Sequence, residues 1–219
     1  MVKILVACEE SQVVTIAFRK LGFEAYSCDL LPCSGGHPEW HIQSDVLDII
    51  GNNDKTIPLQ NGDTIFVQSW DLMIAHPPCT YLSYAATKSW NNEGRVWKRL
   101  EALNFFAKLW TAPIDKICVE NPMGCASPTI AKYTQVIQPY YFGDEESKRT
   151  CLWLKNLPQL VPTKIVKPKI YGYYKRGKKK GMPIYGNSYL KFSEDRGMIR
   201  SKTFPGIAKA IAEQWSKVL

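Results

Sequence analysis

The segment "DLMIAHPPCTYLS" ends an apolar run with His76, two prolines and Cys79. Proline has a fixed φ and no amide hydrogen, so the chain must leave its strand abruptly there. A thiol at such an exit is either a small buried apolar side chain or a nucleophile aimed into a cleft. Glu120 follows 41 residues further on, behind the apolar run "ICV" and ahead of Asn121 and Pro122. A carboxyl at a buried strand end tends toward a raised pKa, and can then hold or donate a proton near neutral pH. A thiol and a carboxyl on neighbouring strand ends can flank one planar base. The thiolate would attack a face of the ring, and the acid would protonate a ring nitrogen in its plane. An ordinary thiol is only a few per cent ionised at pH 7, so Cys79 needs a depressed pKa or a local base. His76, three residues earlier, is one candidate for that help. The alternative is a strand-end histidine held by a backbone carbonyl.

Such groups need a frame, and the order of elements supplies one. "VKILVAC" reads as a buried strand, and "SQVVTIAFRKLG" as a helix capped by Ser11 and stopped by Gly22. Val14, Ala17, Phe18 and Leu21 fall on one face of that helix. "FEAYSCDL" is a second strand. "HIQSDVLDII" holds a short third strand and a helical turn, and "WDLMIAH" is a fourth strand. "EGRVWKRLEALNFFAKLW" is amphipathic, with Val96, Leu100, Leu103, Phe106, Ala107 and Trp110 at spacings of three and four. "DKICVEN" is a fifth strand, "YTQVIQPYYFG" and "RTCLWLKNL" are two more that can pair antiparallel, and "FPGIAKAIAEQWSKVL" is a closing helix. The alternation predicts an α/β fold: an open, mostly parallel sheet with helices on both faces. Ligands of such sheets sit beyond the carboxyl ends of the strands. Here those ends carry Cys8, Glu9 and Glu10; Cys28 and Asp29; Asp45; His76 to Cys79; and Glu120 to Pro122. Asp29 can accept from ribose hydroxyls, or be a cap or turn residue. Asp45 can accept from an adenine amino group, or cap "VLDII". The first strand exit, "ACEESQ", has no glycine to let a ligand approach its backbone.

The 219 residues carry a net charge of +8 and seven cysteines in no regular framework. Free thiols in a reducing compartment are expected, and with no apolar run long enough for a membrane span the chain reads as cytoplasmic. The positive charge is concentrated between Lys167 and Gly186, where seven Lys/Arg and four tyrosines stand with no acid. Lys167, Lys169, Lys175, Arg176, Lys178, Lys179 and Lys180 suit phosphates, and interleaved aromatics can stack on bases. The bland alternative is a solvated, flexible loop. Arg176 or Arg196 could reach a guanine edge. A second patch, "KSWNNEGRVWKR", brings Trp90, Arg95, Trp97 and Lys98 close behind Cys79 in the chain. It can be a flap over a flipped base, or the tryptophans can pack the helix onto the sheet. Cys28, Cys33, His37 and His41 have the residue types of a zinc set, C-x4-C-x3-H-x3-H. The loops are tighter than usual and Cys28 belongs to a strand, so no metal is expected.

In motifs and in their order, over nearly the whole chain, the sequence resembles the DNA (cytosine-5)-methyltransferase family, as a small divergent member of the kind found in phages and prophages. "HPPC" is similar to the Pro-Pro-Cys nucleophile motif. "ENP" is similar to the Glu-Asn-Val motif, with Pro122 in place of valine. "FGDEESKRTCLWL" is similar to the segment where basic residues precede a strand, without the usual preceding Gln. "RSKTFPGIAKAIAEQW" is similar to the closing motif, with Thr203 nearest to the usual Asn. The glycine-rich first motif is replaced by "ACEESQ". The resemblance implies a Rossmann-like S-adenosylmethionine-dependent methyltransferase fold. It divides the chain into a catalytic core over 1–155, a short basic recognition segment over 156–200 and a closing helix over 201–219. It implies that Cys79 adds to C6 of a cytosine flipped out of duplex DNA, that Glu120 acts at N3, and that Arg149, or Lys148 beside it, binds the base O2. Cys8, Glu9, Glu10, Ser11, Asp29, Asp45, Pro77 and Thr203 would surround the cofactor, and Lys148 would join the contacts to nucleic acid. A monomer is expected.

Two other readings stand beside this one. An amino-methyltransferase acting on adenine N6 or cytosine N4 carries Asp or Asn before Pro-Pro-aromatic, whereas this chain has His76 and Cys79 in those places. A nucleic-acid-binding protein with a decayed cofactor site would explain the missing glycines and would bind with a steep salt dependence.

Overall fold

The computed structural model describes residues 2–51, 54–186 and 203–219. Strands β1 (Lys3–Ala7), β2 (Glu24–Asp29), β3 (His41–Gln43), β6 (Leu72–Ala75), β7 (Lys116–Pro122), β8 (Gln135–Ile137) and β9 (Thr150–Lys155) form one sheet of seven. Its spatial order is β3-β2-β1-β6-β7-β9-β8. The first five strands in that order run parallel, and β9 lies antiparallel to both β7 and β8. The order reverses between β1 and β6, so a crevice is expected where those two strands end.

The central strands are buried on both faces, as their continuous apolar runs require. Leu5, Ala7, Met73, Ala75, Ile117 and Val119 point to one face, where Phe106 and Leu109 of α3 (Arg95–Trp110) and Ile49 and Ile50 of α2 (Leu47–Ile50) cover them. Ile4, Val6, Leu72, Ile74 and Cys118 point to the other. There Val14 and Phe18 of α1 (Val13–Arg19) pack with Ile207, Ile211 and Trp215 of the closing helix α5 (Pro205–Trp215). A short helix, α4 (Ala126–Thr129), follows β7.

Several local expectations are corrected. Helix α1 ends at Arg19, two residues early, so Leu21 leaves its face and is 45% exposed. Ser11 does not cap it. Gln12 takes the N-cap position in a left-handed conformation, and the Glu9 carboxylate accepts from the amides of Val14 (2.7 Å) and Thr15 (3.2 Å). In α3, Val96, Trp97 and Leu100 are exposed, and full burial is confined to Phe106 and Leu109 in the second half. A hairpin of β4 (Lys55–Pro58) and β5 (Thr64–Val67) was not anticipated, although Asn61-Gly62 is a turn signal. It brings Ile57 and Val67 into the core. The basic segment is not a formless loop. β10 (Ile170–Tyr173) and β11 (Pro183–Tyr185) pair antiparallel, with Lys175, Arg176 and Lys178 to Lys180 exposed around the tip. Arg196 and the segment 187–202 lie outside the described residues.

Among the described residues, no helix is long and apolar enough to cross a membrane.

Candidate active site

β6 and β7 run side by side in the register Ala75↔Val119, which makes His76 and Glu120 the next residues out of each strand. His76 keeps one more strand-like bond, its amide donating to the Ala7 carbonyl at 2.9 Å. The prolines then turn the chain away. Pro77 is buried; Pro78, Cys79 and Thr80 are exposed.

Two side-chain bonds tie this exit to that of β7. The His76 ring, through Nδ1, meets Glu120 Oε2 at 3.1 Å, and Asn121 Nδ2 donates to the Pro77 carbonyl at 2.8 Å. Beyond the turn, the amides of Leu82 and Ser83 donate back to the Cys79 carbonyl at 3.1 and 3.0 Å. Cys125 N then donates to Leu82 O, and Tyr84 N to Met123 O, bridging Ser83 to Gly124. The segment around Cys79 is therefore clamped at both ends onto residues 120–125. Gly124 is required there: a Cβ on it would overlap the Leu82 carbonyl.

Cys79 is exposed and in no disulfide. Five of the other six thiols are poor nucleophiles. Burial pushes Cys28 up to about 12 and Cys151 up to about 11, and it also raises Cys8, Cys118 and Cys125.

Glu120 behaves differently from the expectation of a raised carboxyl. Burial does act to raise it, but the His76 hydrogen bond, the Lys148 and His76 charges and a Thr150 hydrogen bond together outweigh that. Its pKa is held below the ordinary value. It is a carboxylate at neutral pH, so it is not itself a proton donor there. His76 is likewise not held by a backbone carbonyl through its ring; its partner is Glu120.

Glu120 and His76 line a small cleft of about 20 Å³, completed by Lys148, Thr150 and Thr203, with Phe204 and Ile207 of the α5 region forming an apolar wall. Lys148, not Arg149, faces this cleft. Lys148 and Thr150 share the Glu120 side of the extended chain, whereas Arg149 is exposed and acts electrostatically on Tyr140 and Cys151. Asp144 accepts from Gly206 N at 2.9 Å, and Gly206 has no room for a Cβ against the Phe142 carbonyl, so the start of α5 is seated firmly beside the cleft.

The remaining strand ends lie side by side at the C-terminal ends of β1, β2 and β3. Asp29 and Asp45 lie close enough to raise both Cys8 and Cys28, after the larger effect of burial. Each carboxylate accepts from a local amide, Asp29 from Leu31 N and Asp45 from Leu47 N. Cys8 takes φ 59° and Gln12 φ 58°, so the first turn uses the left-handed conformation that a glycine-rich turn would use, at a strain of roughly 1 kcal/mol per residue. Its side chains are engaged internally. Glu9 holds α1, Glu10 accepts from Ser34 Oγ at 2.6 Å, and Gln12 bonds Ser27 and the backbone of His37. Gly35 packs tightly against Ser11 and Gln12.

Cys33, His37 and His41 do not converge with Cys28 on one point. The His41 ring bonds Ser27 and the Leu31 carbonyl, and that of His37 bonds Glu39. Among the described residues no group of three or more His, Cys, Asp or Glu is placed to hold a metal ion. The patch behind Cys79 is built of cations over rings: Arg95 and Lys98 over Tyr81, and Arg99 over Trp90, with Trp97 72% exposed. The base of the β10–β11 hairpin meets the segment just ahead of Lys148. Lys169 N donates to Glu145 O, Tyr171 bonds Glu146, and Gly186 packs on Ser147.

Sequence reasoning missed His76 as the Glu120 partner and Gly124 as the clamp, and it ranked Lys148 behind Arg149 as the cation at the base. Period-two alternation through Lys148, Arg149 and Thr150 was the signal that could have reversed that ranking. The chain is a mostly parallel α/β protein with its polar strand ends collected on one side. No family model matches it, and no curated protein is significantly similar to it.

Proposed function

We propose that this chain methylates C5 of cytosine in DNA through a covalent adduct at Cys79. The observation that carries the reading is the clamp itself. An exposed cysteine behind a Pro-Pro exit is tied by His76–Glu120 and Asn121–Pro77 to a carboxylate on the neighbouring strand end. That is the pairing a thiolate addition to a pyrimidine requires. The sheet order, reversing between β1 and β6, supports a Rossmann-like methyltransferase fold.

Cys79 supplies the sulfur that bonds to C6. Charge then develops toward N3, where the His76–Glu120 pair can hold a proton, and Lys148 is the cation available to the base O2. Phe204 and Ile207 exclude water from that side of the ring. The donor set at the ends of β2 and β3 fits S-adenosylmethionine: Asp29 for the ribose hydroxyls and Asp45 for the adenine amine, with Thr203 bordering the cleft. When bound, that group supplies the electrophilic methyl. Phosphates would meet Lys167, Lys169 and the hairpin-tip cations, all of them exposed.

The test is incubation with labelled S-adenosylmethionine and duplex DNA containing 5-fluorocytosine. Fluorine cannot leave as a proton does, so a labelled covalent complex is expected with the wild type and not with Cys79→Ser. Its absence over DNA of varied sequence would sink the reading.

A second reading is favoured by the first turn, where Glu9, Glu10 and Gln12 are all committed within the protein. On it the chain binds nucleic acid and has lost its cofactor. It predicts salt-sensitive DNA binding and no heat of binding for S-adenosylmethionine in calorimetry.

A further inference from the structure

We propose that His76 is the proton carrier of the cleft, taking the Cys79 thiol proton onto Nε2 while Glu120 holds the ring; this rests on the reading of Cys79 as nucleophile. The His76 side chain is only 9% exposed, and its Nε2 is buried without a hydrogen-bond partner among the described residues. An unsatisfied buried polar atom costs about 1–3 kcal/mol, and such an atom on a cleft wall marks where a ligand or a proton is to be met.

The tautomer follows from the partner. Glu120 is a carboxylate and accepts, so the neutral ring donates through Nδ1–H to Oε2. Nε2 is then left with its lone pair, which is the arrangement of a general base oriented by a carboxylate. The surroundings suit a proton held at that position. Glu120 from β7 contacts the ring. Glu9, from the β1 exit, lies near enough for the His76 charge to lower its pKa against the larger raising effect of burial. Lys148, from ahead of β9, opposes them from the same cleft, and α5 adds only Thr203 and apolar groups there. His76 stands at the strand end flanked by β1 and β7, at the point where the strand order reverses. Residues that precede proline are held to extended backbone, so three residues from His76 to Cys79 at about 3.1 Å each would span about 9 Å, a gap that two side chains can close directly or through one water.

The step balances. The S–H bond of Cys79 breaks, its proton bonds to Nε2, and its electron pair stays on sulfur. That pair forms the S–C6 bond as the C5=C6 pair moves into the ring. Once that pair has bonded the methyl group that S-adenosylmethionine would supply at C5, the C5 hydrogen leaves to water as a proton, its electron pair re-forms C5=C6, the C–S pair returns to sulfur, and His76 gives its proton back to the thiolate or to solvent.

The experiment needs neither DNA nor methyl donor. The intact chain is alkylated with iodoacetamide from pH 5 to 10, and modification of Cys79 is read by peptide mass. The wild type is expected to show two steps, one that follows protonation of the His76 imidazole and one that follows the thiol. His76→Gln is expected to leave the thiol step alone and to alkylate several-fold more slowly at neutral pH. Superimposable profiles overturn the proposal. Because His76→Gln can perturb folding, the His76 imidazole is also titrated by NMR in the wild type and in Cys79→Ser, an exposed substitution. A displaced midpoint supports the coupling, and an unchanged one overturns it. A two-step profile with no 5-fluorocytosine complex supports the His76–Cys79 pairing and overturns the cytosine reading alone.

Discussion

His76 Nδ1 lies 3.1 Å from Glu120 Oε2, across the C-terminal ends of two parallel strands that also place Ala75 beside Val119. This contact decides the charge state of the carboxyl, because it helps to outweigh the burial that would otherwise raise it. It also leaves the second ring nitrogen buried and unpaired among the described residues.

Glu120 therefore links stability to pH. Its folded-state pKa lies below the ordinary 4.5, so its contribution is full above that value and is lost as pH falls through the folded pKa. Glu120→Gln is expected to flatten the acid side of the stability profile. In urea titrations between pH 3 and 7, the gap between wild type and variant should be widest at the upper end and narrow below about pH 4.5. A gap that widens toward acid would refute the assignment.

Lys148 and Arg149 are adjacent in sequence but only Lys148 lines the cleft. Lys148→Ala is expected to slow formation of the 5-fluorocytosine complex by about tenfold or more, in the range of a lost charge-assisted hydrogen bond of roughly 1.5–3 kcal/mol. Arg149→Ala should change the rate far less. Single-turnover trapping of the two variants distinguishes them, and a larger defect in Arg149→Ala would reverse the assignment.

Glu9 is expected to hold the start of α1. Its carboxylate meets Val14 N, Thr15 N and Thr15 Oγ1, whereas Ser11 makes no cap. Glu9→Ala should lose about 1–2 kcal/mol in chemical denaturation, as a removed cap does. Ser11→Ala should stay within about 0.5 kcal/mol of wild type. Equal losses would count against this account.

Gly124 permits the bridge to Ser83 that closes the Cys79 loop. Gly124→Ala would push its methyl group into the Leu82 carbonyl. A loss of about 1–3 kcal/mol is expected, with faster amide hydrogen exchange at Tyr84 and Cys125, whose bonds form the bridge. Protection unchanged at both amides would show that the clamp survives.

The cations at the β10–β11 tip are exposed and lie away from both hydrophobic clusters. Replacing Lys178, Lys179 and Lys180 by Ala should leave thermal stability unchanged. The slope of log K against log salt for duplex DNA should fall by about 0.9 for each phosphate contact removed. An unaltered slope would place the DNA elsewhere.

Much of the frame was legible in local pattern. Apolar runs such as "ILVA" and "LMIA" are buried on both sides of the sheet, and such strands need no partner-specific information to be recognised. Their alternation with helices implied the parallel sheet, and the Pro77-Pro78 exit implied the turn that exposes Cys79. The chain also announced that "YTQVIQPYYFG" and "RTCLWLKNL" could pair antiparallel, and they do.

The sequence by itself thus determined the strands of the main sheet and the helices that cover it, though not the two hairpins, and that a thiol and a carboxyl end two of those strands, because those features depend on neighbours a few residues apart. Only the tertiary structure decided the rest. It put Lys148 rather than Arg149 in the cleft, gave the α1 cap to Glu9, exposed the first turns of α3, and kept Glu120 charged. Each of those outcomes is set by burial, fields and hydrogen bonds from groups such as His76, 44 residues from Glu120 along the chain. Such sums over space have no signature in the spacing of residues along one strand or helix.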